Sequence, residues 1–136
     1  MNRFGVTQQI CFCYGHRLLD YDGKCAHLHG HNAVAELTFE SPSLDGRGMV
    51  VDFNEIKSKL KAWIETTIDH KMLLRRDDPL ASPLEKLGEP VFRIEGNPTA
   101  ENISRILFEK AESLGLPVTE VKVWETPTQY ARYWKS

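Results

Sequence analysis

Cysteine is scarce in this chain. The three present among 136 residues, Cys11, Cys13 and Cys25, are too few and odd in number for a disulfide framework. Cys11 and Cys13 stand two apart in a strand-like run and are expected as packed thiols. A basic excess is also missing: 17 Lys and Arg stand against 19 Asp and Glu, a net charge of −2. With no zinc-finger, RNP-like or helix-turn-helix pattern either, a nucleic-acid partner is not expected. No apolar run approaches the ~20 residues a membrane span needs. The opening MNRFGVTQQICFCYGH has neither an apolar core nor a small-residue cleavage site, so it does not read as a signal peptide. The chain is therefore expected in the cytoplasm, off the membrane. Repeats, low-complexity tracts and linkers are lacking too, and residues 1–136 suit a single domain able to bury its own core.

Alternation is the first positive signal. Phe4, Val6, Ile10, Phe12 and Tyr14 fall on even positions, the period of a half-buried strand that ends at Gly15 and His16. A polar loop from Asp20 to Lys24 leads to a second strand alternating through His31, Ala33, Ala35, Leu37 and Phe39. Ser41 to Gly46 is turn chemistry. Asp52 then offers an N-cap, with Glu55 placed to complete a capping box. Phe53, Ile56, Leu60, Trp63, Ile64 and Ile68 follow at helical spacing, which predicts a helix over 53–67. Residues 71–96, with Pro79, Pro83, Gly88, Pro90 and Gly96, read as one long irregular loop broken by a short strand at Val91, Phe92 and Arg93. Loops this long in compact domains are often functional. Thr99 suits the N-cap of a second helix, with Glu101 near its positive end and a stripe of Ile103, Ile106, Leu107, Ala111 and Leu114. Gly115 and Pro117 stop it. Strands over 118–125 and 130–134, joined by a turn with Pro127, complete the order ββααββ. That order implies an α+β fold, one four-stranded antiparallel sheet with both helices on one face.

Chemistry concentrates in CAHLHGHNAVAEL, residues 25–37, which holds three of the five histidines. Residues two apart in a strand point the same way, so His29 and His31 can reach one ion, with Gly30 relieving crowding between them. Zinc needs three or four nitrogen or sulfur donors. His16, ending the neighbouring strand of the same hairpin, is the natural third, and His27 is its rival. The plainer alternative is a cluster of surface histidines at a loop–strand junction. Cys25, four residues before His29, is either a fourth ligand closing a structural site or a thiolate base left off the metal. Asp69 and His70 after the first helix form a possible acid–base pair, or His70 merely answers the helix dipole. Glu125 shares the parity of Val121 and Val123, so its carboxylate faces the apolar side and needs a partner there. A planar ligand with adjacent N–H groups would serve, unless Glu125 is an ordinary edge-strand residue. Arg75, Arg76 and Arg93 read as solvated charges.

Together these pieces resemble the 6-pyruvoyl-tetrahydropterin synthase / 6-carboxy-5,6,7,8-tetrahydropterin synthase family. The matching stretches run in family order: residues 12–18 (FCYGHRL), 25–32 (CAHLHGHN), 48–53 (GMVVDF), 60–70 ending in Asp69 and His70, 97–102 (NPTAEN) and 123–126 (VWET). The resemblance implies a tunnelling fold whose trimers pair into homohexamers, with active sites between subunits. It further implies that His16, His29 and His31 hold Zn2+ while His27 is left out. Cys25 would be the catalytic thiol, Asp69 and His70 its acid–base partners, and Glu125 the anchor of the pterin ring. The implied substrate is a pterin triphosphate, 7,8-dihydroneopterin triphosphate.

Branches of that family differ between the cysteine and the His-Gly-His. Pyruvoyl-forming members tend to have five intervening residues and carboxy-forming members, which serve queuosine and other deazapurine synthesis, three. Cys25-x-x-x-His29 favours the carboxy branch, a carbon–carbon lyase. A branch with Glu in place of this Cys makes a folate precursor, and Cys25 argues against it. The alternatives are a pyruvoyl-type synthase, which eliminates triphosphate without breaking the carbon chain, and a non-catalytic zinc-containing pterin-binding protein. Gly15 stands where the family usually has Ala, and the 71–96 segment is longer than in the carboxy branch.

Overall fold

The alternation along the first two expected strands becomes a long hairpin in the computed structural model, which describes residues 2–136. Strand β1 (Phe4–His16) pairs antiparallel with β2 (His29–Ser41), from Phe4 opposite Ser41 to His16 opposite His29. Directly opposed residues share a face. Even positions of β1 and odd positions of β2 therefore point together, and Ile10, Phe12, Tyr14, Ala33, Ala35, Leu37 and Phe39 are all buried. Strand β5 (Val118–Thr126) pairs on the other side of β2 and adds Val121 and Val123 to that face, and β6 (Gln129–Trp134) follows as an antiparallel edge.

Helices cover this apolar face. The first runs over 53–67 as expected, as α1 (Phe53–Ile56), a π-helical turn (Lys57–Lys61) and α2 (Ala62–Thr67). Its buried residues Ile56, Leu60, Ile64 and Ile68 recur at every fourth position. On a helix of ~3.6 residues per turn such a stripe drifts by roughly 40° per step. The wider π turn takes back part of that drift and keeps the stripe against the sheet. Asp52 caps the helix by accepting from the Asn54 N–H at 2.8 Å. The expected capping box does not close, because Glu55 pairs forward with Lys59 Nζ at 2.6 Å. A later helix (Ala100–Ser113) has the anticipated Thr99 cap, accepting from the Asn102 N–H at 3.1 Å, and buries Ile103, Leu107, Phe108 and Ala111. It stops at Gly115, whose φ of +79° is the left-handed conformation that glycine tolerates.

The four-stranded, wholly antiparallel sheet is corrected to six strands in mixed order, β4-β3-β1-β2-β5-β6. Both extra strands come from the segment expected to be irregular. Strand β3 (Lys71–Arg75) pairs parallel with the end of β1, and β4 (Val91–Ile94), foreshadowed at Val91, Phe92 and Arg93, pairs parallel with β3. Between them lies α3 (Ala81–Lys86), so the helix after it is α4. The sequence signal failed for physical reasons. Strand β3 is flanked on both sides, so its central Leu73 and Leu74 are both buried and no alternation marks it. Pro83 looks like a breaker, yet it occupies the first turn of α3, where no helical N–H partner is lost. The expectation of packed thiols also fails at Cys11, which is exposed on the opposite face of β1.

Asp78 fastens this segment to the hairpin. Its side chain is fully shielded, and its two oxygens accept from Arg17 Nε at 2.9 Å and Nη2 at 2.6 Å. Burial alone would raise the carboxyl, but the Arg17 fork and the Leu80 N–H outweigh it and hold it below the usual carboxylate range. Asp78→Ala should lower the unfolding free energy by about 2 kcal/mol near neutral pH, read from urea midpoints, because it removes the buried partner of a partly exposed guanidinium. With the folded pKa depressed, the pair's stabilisation is full above the ordinary carboxylate range and lost as pH falls through the lowered value. The gap between wild type and variant should therefore close in acid. A gap persisting there would assign the loss to packing instead.

Candidate metal centre and acid–base cluster

The hairpin register builds a histidine cluster. His16 and His29 are opposed across the last rung of β1 and β2, and His31 lies two residues on, opposite Tyr14. All four side chains share the buried face. The three imidazoles sit with ring centroids between 4.5 and 5.1 Å apart, and one ring nitrogen from each lies within 4.8 Å of the others.

Two of the rings are held by backbone carbonyls. His16 Nδ1 lies 2.6 Å from the Pro98 carbonyl, and His29 Nδ1 lies 2.7 Å from that of His27. A carbonyl can only accept, so Nδ1 carries the proton in both rings and Nε2 presents a lone pair. His16 is buried, and burial lowers its pKa despite the opposing pull of the Pro98 carbonyl and Glu125, favouring the neutral ring that ligates metals. His16 Nε2 and His31 Nε2 stand 3.2 Å apart. Two nitrogens each ~2.0–2.1 Å from a tetrahedral zinc would be about 3.3–3.4 Å apart. The donor set, its spacing and its carbonyl partners thus fit a divalent cation of the zinc class. His27, the rival ligand, is exposed and precedes β2; its carbonyl orients His29 while its ring lies outside the donor group.

The Pro98 carbonyl is held by the motif around it. Asn97 Oδ1 accepts from the Leu19 N–H and its Nδ2 donates to the Leu19 carbonyl, both at 2.9 Å, and Asn102 Nδ2 donates to the Asn97 carbonyl at 2.8 Å. The start of α4 is thereby tied to the loop that follows His16.

Glu125 joins this cluster, as its parity suggested. Its Oε2 accepts from the Tyr14 hydroxyl at 2.6 Å and lies 3.5 Å from His31 Nε2 and 3.7 Å from His16 Nε2. Burial first, then the neighbouring carboxylate, pushes the Tyr14 phenol far above its ordinary value. Sequence reasoning had assigned Tyr14 only to the core. Its position two residues before His16 on the same face was the available signal.

Asp69 and His70 do touch. Asp69 Oδ2 lies 2.9 Å from His70 Nδ1, and Asp69 Oδ1 accepts from the Cys13 N–H at 2.8 Å. Burial raises the Asp69 carboxyl, but these bonds outweigh it and the net shift is downward. The unanticipated neighbour is Cys13, whose thiol lies with the pair in a second group of donor atoms within 4.8 Å of one another. Cys25 belongs to neither group. It is half-buried in a 3-10 turn (Lys24–Ala26), where its carbonyl accepts from the Leu18 N–H at 2.8 Å. The two clusters share one cavity, which His31 and Tyr14 line together with Cys13 and His70, whereas Glu125 faces another. The shared cavity is about 630 Å³ and is lined also by Lys71, Met72 and Leu84. Glu125 lines one of about 370 Å³ with Gln129, Tyr130 and Arg132, and Cys25 lines neither.

Known proteins resemble this chain in sequence and in fold. The family model described as 6-pyruvoyl tetrahydropterin synthase matches residues 5–136. A protein of Rickettsia bellii named 6-carboxy-5,6,7,8-tetrahydropterin synthase is 40% identical over 128 residues, covering 89% of this chain and 93% of its own. One of the same name from Haemophilus influenzae is 30% identical over 138 residues, covering 96% and 98%. Among solved structures, an uncharacterised protein of Wolinella succinogenes superposes with a TM-score of 0.83 at 26% identity, over 100% of both chains.

The Tyr14–Glu125 bond gives a direct test of the site's electrostatics. Tyr14→Phe should lower stability by about 1–2 kcal/mol, since it removes a hydrogen bond to a carboxylate. In an alkaline absorbance titration of the folded protein the variant should match wild type in amplitude, because burial and Glu125 push the Tyr14 phenol upward, away from the range of exposed tyrosines. After unfolding the two should differ by one tyrosine. A native-state amplitude lower in the variant would show Tyr14 to be freely titrating.

Proposed function

The chain belongs to the 6-pyruvoyl tetrahydropterin synthase family, and on that premise we propose that it is a zinc-dependent 6-carboxy-5,6,7,8-tetrahydropterin synthase. In this reading one synthase-like domain spans residues 1–136 and converts 7,8-dihydroneopterin triphosphate to 6-carboxytetrahydropterin, acetaldehyde and triphosphate, supplying queuosine or another deazapurine. The observation that carries the metal assignment is the pair of carbonyl-locked imidazoles facing His31. The product assignment is supported by the names of the relatives and by the three residues between Cys25 and His29.

His16, His29 and His31 are the zinc ligands in this proposal. Bound there, zinc supplies Lewis acidity to the hydroxyls of the substrate side chain. Glu125, oriented by Tyr14, accepts from adjacent N–H groups on the pyrimidine edge of the pterin, the pairing that suits a carboxylate. Cys25 as thiolate takes a proton from the side chain. His70, with its ring set by Asp69, moves a second proton as triphosphate departs and the carbon–carbon bond breaks. Glu125 and His70 open onto different cavities of one chain and Cys25 lines neither. That separation supports a homo-oligomer, a hexamer built from two trimers, in which a second copy completes each site.

Product identification by mass spectrometry, with and without a chelator, tests the reading. A chelator-sensitive 6-carboxy product with acetaldehyde is expected. A 6-pyruvoyl product would transfer the chain to the other branch of the family. Cys25→Ala should abolish turnover while the protein keeps its zinc. Loss of zinc in that variant would make Cys25 a fourth ligand and the site structural. His27→Ala should leave the metal content unchanged. Asn97→Ala, which frees the Pro98 carbonyl, should weaken zinc binding roughly 10–100-fold, as loss of a ligand's outer partner does.

A further inference from the structure

Cys13 touches both members of the acid–base pair. Phe12 and Tyr14 on either side of it point into the core, so the Cys13 side chain projects to the other face, as strand alternation requires. Its N–H donates to Asp69 Oδ1 at 2.8 Å, and its carbonyl accepts from the His70 N–H at 2.7 Å. The second bond holds His70 at φ +62°, a backbone conformation that side-chain-bearing residues rarely adopt. Any residue but proline at position 13 would make these two bonds. What cysteine adds is the thiol, whose sulfur lies within 4.8 Å of both an Asp69 carboxylate oxygen and a His70 ring nitrogen. The thiol is free. Burial raises the Asp69 carboxyl, and the Cys13 N–H, His70 and the Cys13 thiol together bring it down.

We propose that Cys13 is a positioning residue for the acid–base pair: its thiol donates to the Asp69 carboxylate and keeps that carboxylate turned toward His70. The proposal rests on the proton-carrying role given to His70 above. A carboxylate only accepts, so Asp69 Oδ2, 2.9 Å from His70 Nδ1, places the proton of the neutral ring on Nδ1 and leaves the Nε2 lone pair free. The His70 side chain is 78% exposed, so Asp69 is the main restraint on its ring. Asp69 therefore has to be held firmly itself. A carboxylate anchored through one oxygen can still swing about its last torsion, which is broad for aspartate. A second donor from the same residue removes that freedom. A thiol is a weak donor, so it steadies the carboxylate without drawing it away from the imidazole. Cys13 and His70 both line the 630 Å³ cavity that His31 also lines, so the pair and the histidine cluster border one space. Sequence alone did not offer Cys13 for this role, because it precedes Asp69 by 56 positions and meets it only through the fold.

The tautomer of His70 reports on this arrangement directly. Nitrogen-15 NMR of histidine-labelled protein carrying one equivalent of zinc is recorded at mildly alkaline pH, where free imidazoles are neutral. His70→Gln assigns the signal. Wild type should show the Nδ1–H ring. Cys13→Ala, which keeps both backbone bonds, should show the two tautomers mixed. Cys13→Ser, which restores a side-chain donor, should return the wild-type pattern. Cys11→Ala, an exposed thiol two residues away on the same face, should change nothing. In turnover, Cys13→Ala should lower kcat roughly 3–10-fold at unchanged KM, because what it loses bears on proton transfer and not on binding. Serine and alanine leave nearly the same space, so a packing defect would appear in both variants and tautomer mixing in alanine alone. The proposal is overturned by an unmixed Nδ1–H ring in Cys13→Ala, by mixing that serine does not reverse, or by an Nε2–H ring in wild type. The ring is read without substrate, so the tautomer decides the proposal even where the reaction proposed above fails.

Discussion

The register between β1 and β2 is the constraint on which the rest of the molecule depends. It places His16 opposite His29 and Tyr14 opposite His31, and in the same stroke sends Ile10, Phe12, Ala33, Ala35 and Leu37 into the core. Side chains alternate with a period of two, so a slip of one residue would carry every one of these groups to the other face. Core and donor cluster are therefore specified together. No separate device is needed to bring three imidazoles to one point, because the apolar pattern that buries the hairpin aligns them as well.

Alignment of strands sets where the rings are but not which nitrogen they offer. That choice comes from carbonyls outside the hairpin ladder, Pro98 for His16 and His27 for His29. Each is fixed by its own surroundings: Pro98 by the Asn97 and Asn102 amides at the start of α4, His27 by the 3-10 turn that precedes β2. The segment 71–96 acts at the same end of the sheet. Strand β3 pairs with β1 from Tyr14 to His16, and Arg17, the next residue along, is clamped by Asp78. The strand that carries His16 is thus fastened on both sides and beyond its end. Met72 also lies over Gly15, where a Cβ would come within 2.7 Å of its methyl carbon, a contact that the flexible end of Met72 can relieve by moving.

What could be read from the sequence follows from how local each feature is. The hairpin, the helix over 53–67 and the Thr99 cap were legible because period and capping chemistry lie within a few residues. His16, His29 and His31 were legible because parity and one turn relate them, and Glu125 because it continues the parity of Val121 and Val123. Strand β3 was not, since a strand flanked on both sides loses the alternation that marks half-buried ones. Helix α3 was not, since a proline in the first turn looks like one in a loop. The role of Pro98 was beyond reach, because its contact with His16 spans 82 positions and uses a backbone oxygen that every residue has.

A single strand can serve two chemistries because alternation separates its faces. His16 and Tyr14 are buried, and burial lowers the pKa of the imidazole and raises that of the phenol. Cys13 lies one residue away from Tyr14 yet meets a partly solvated carboxylate and an exposed imidazole. Glu125, His70 and Cys25 lie apart within one chain because they stand on three different segments: the end of β5, the turn before β3 and the 3-10 turn before β2.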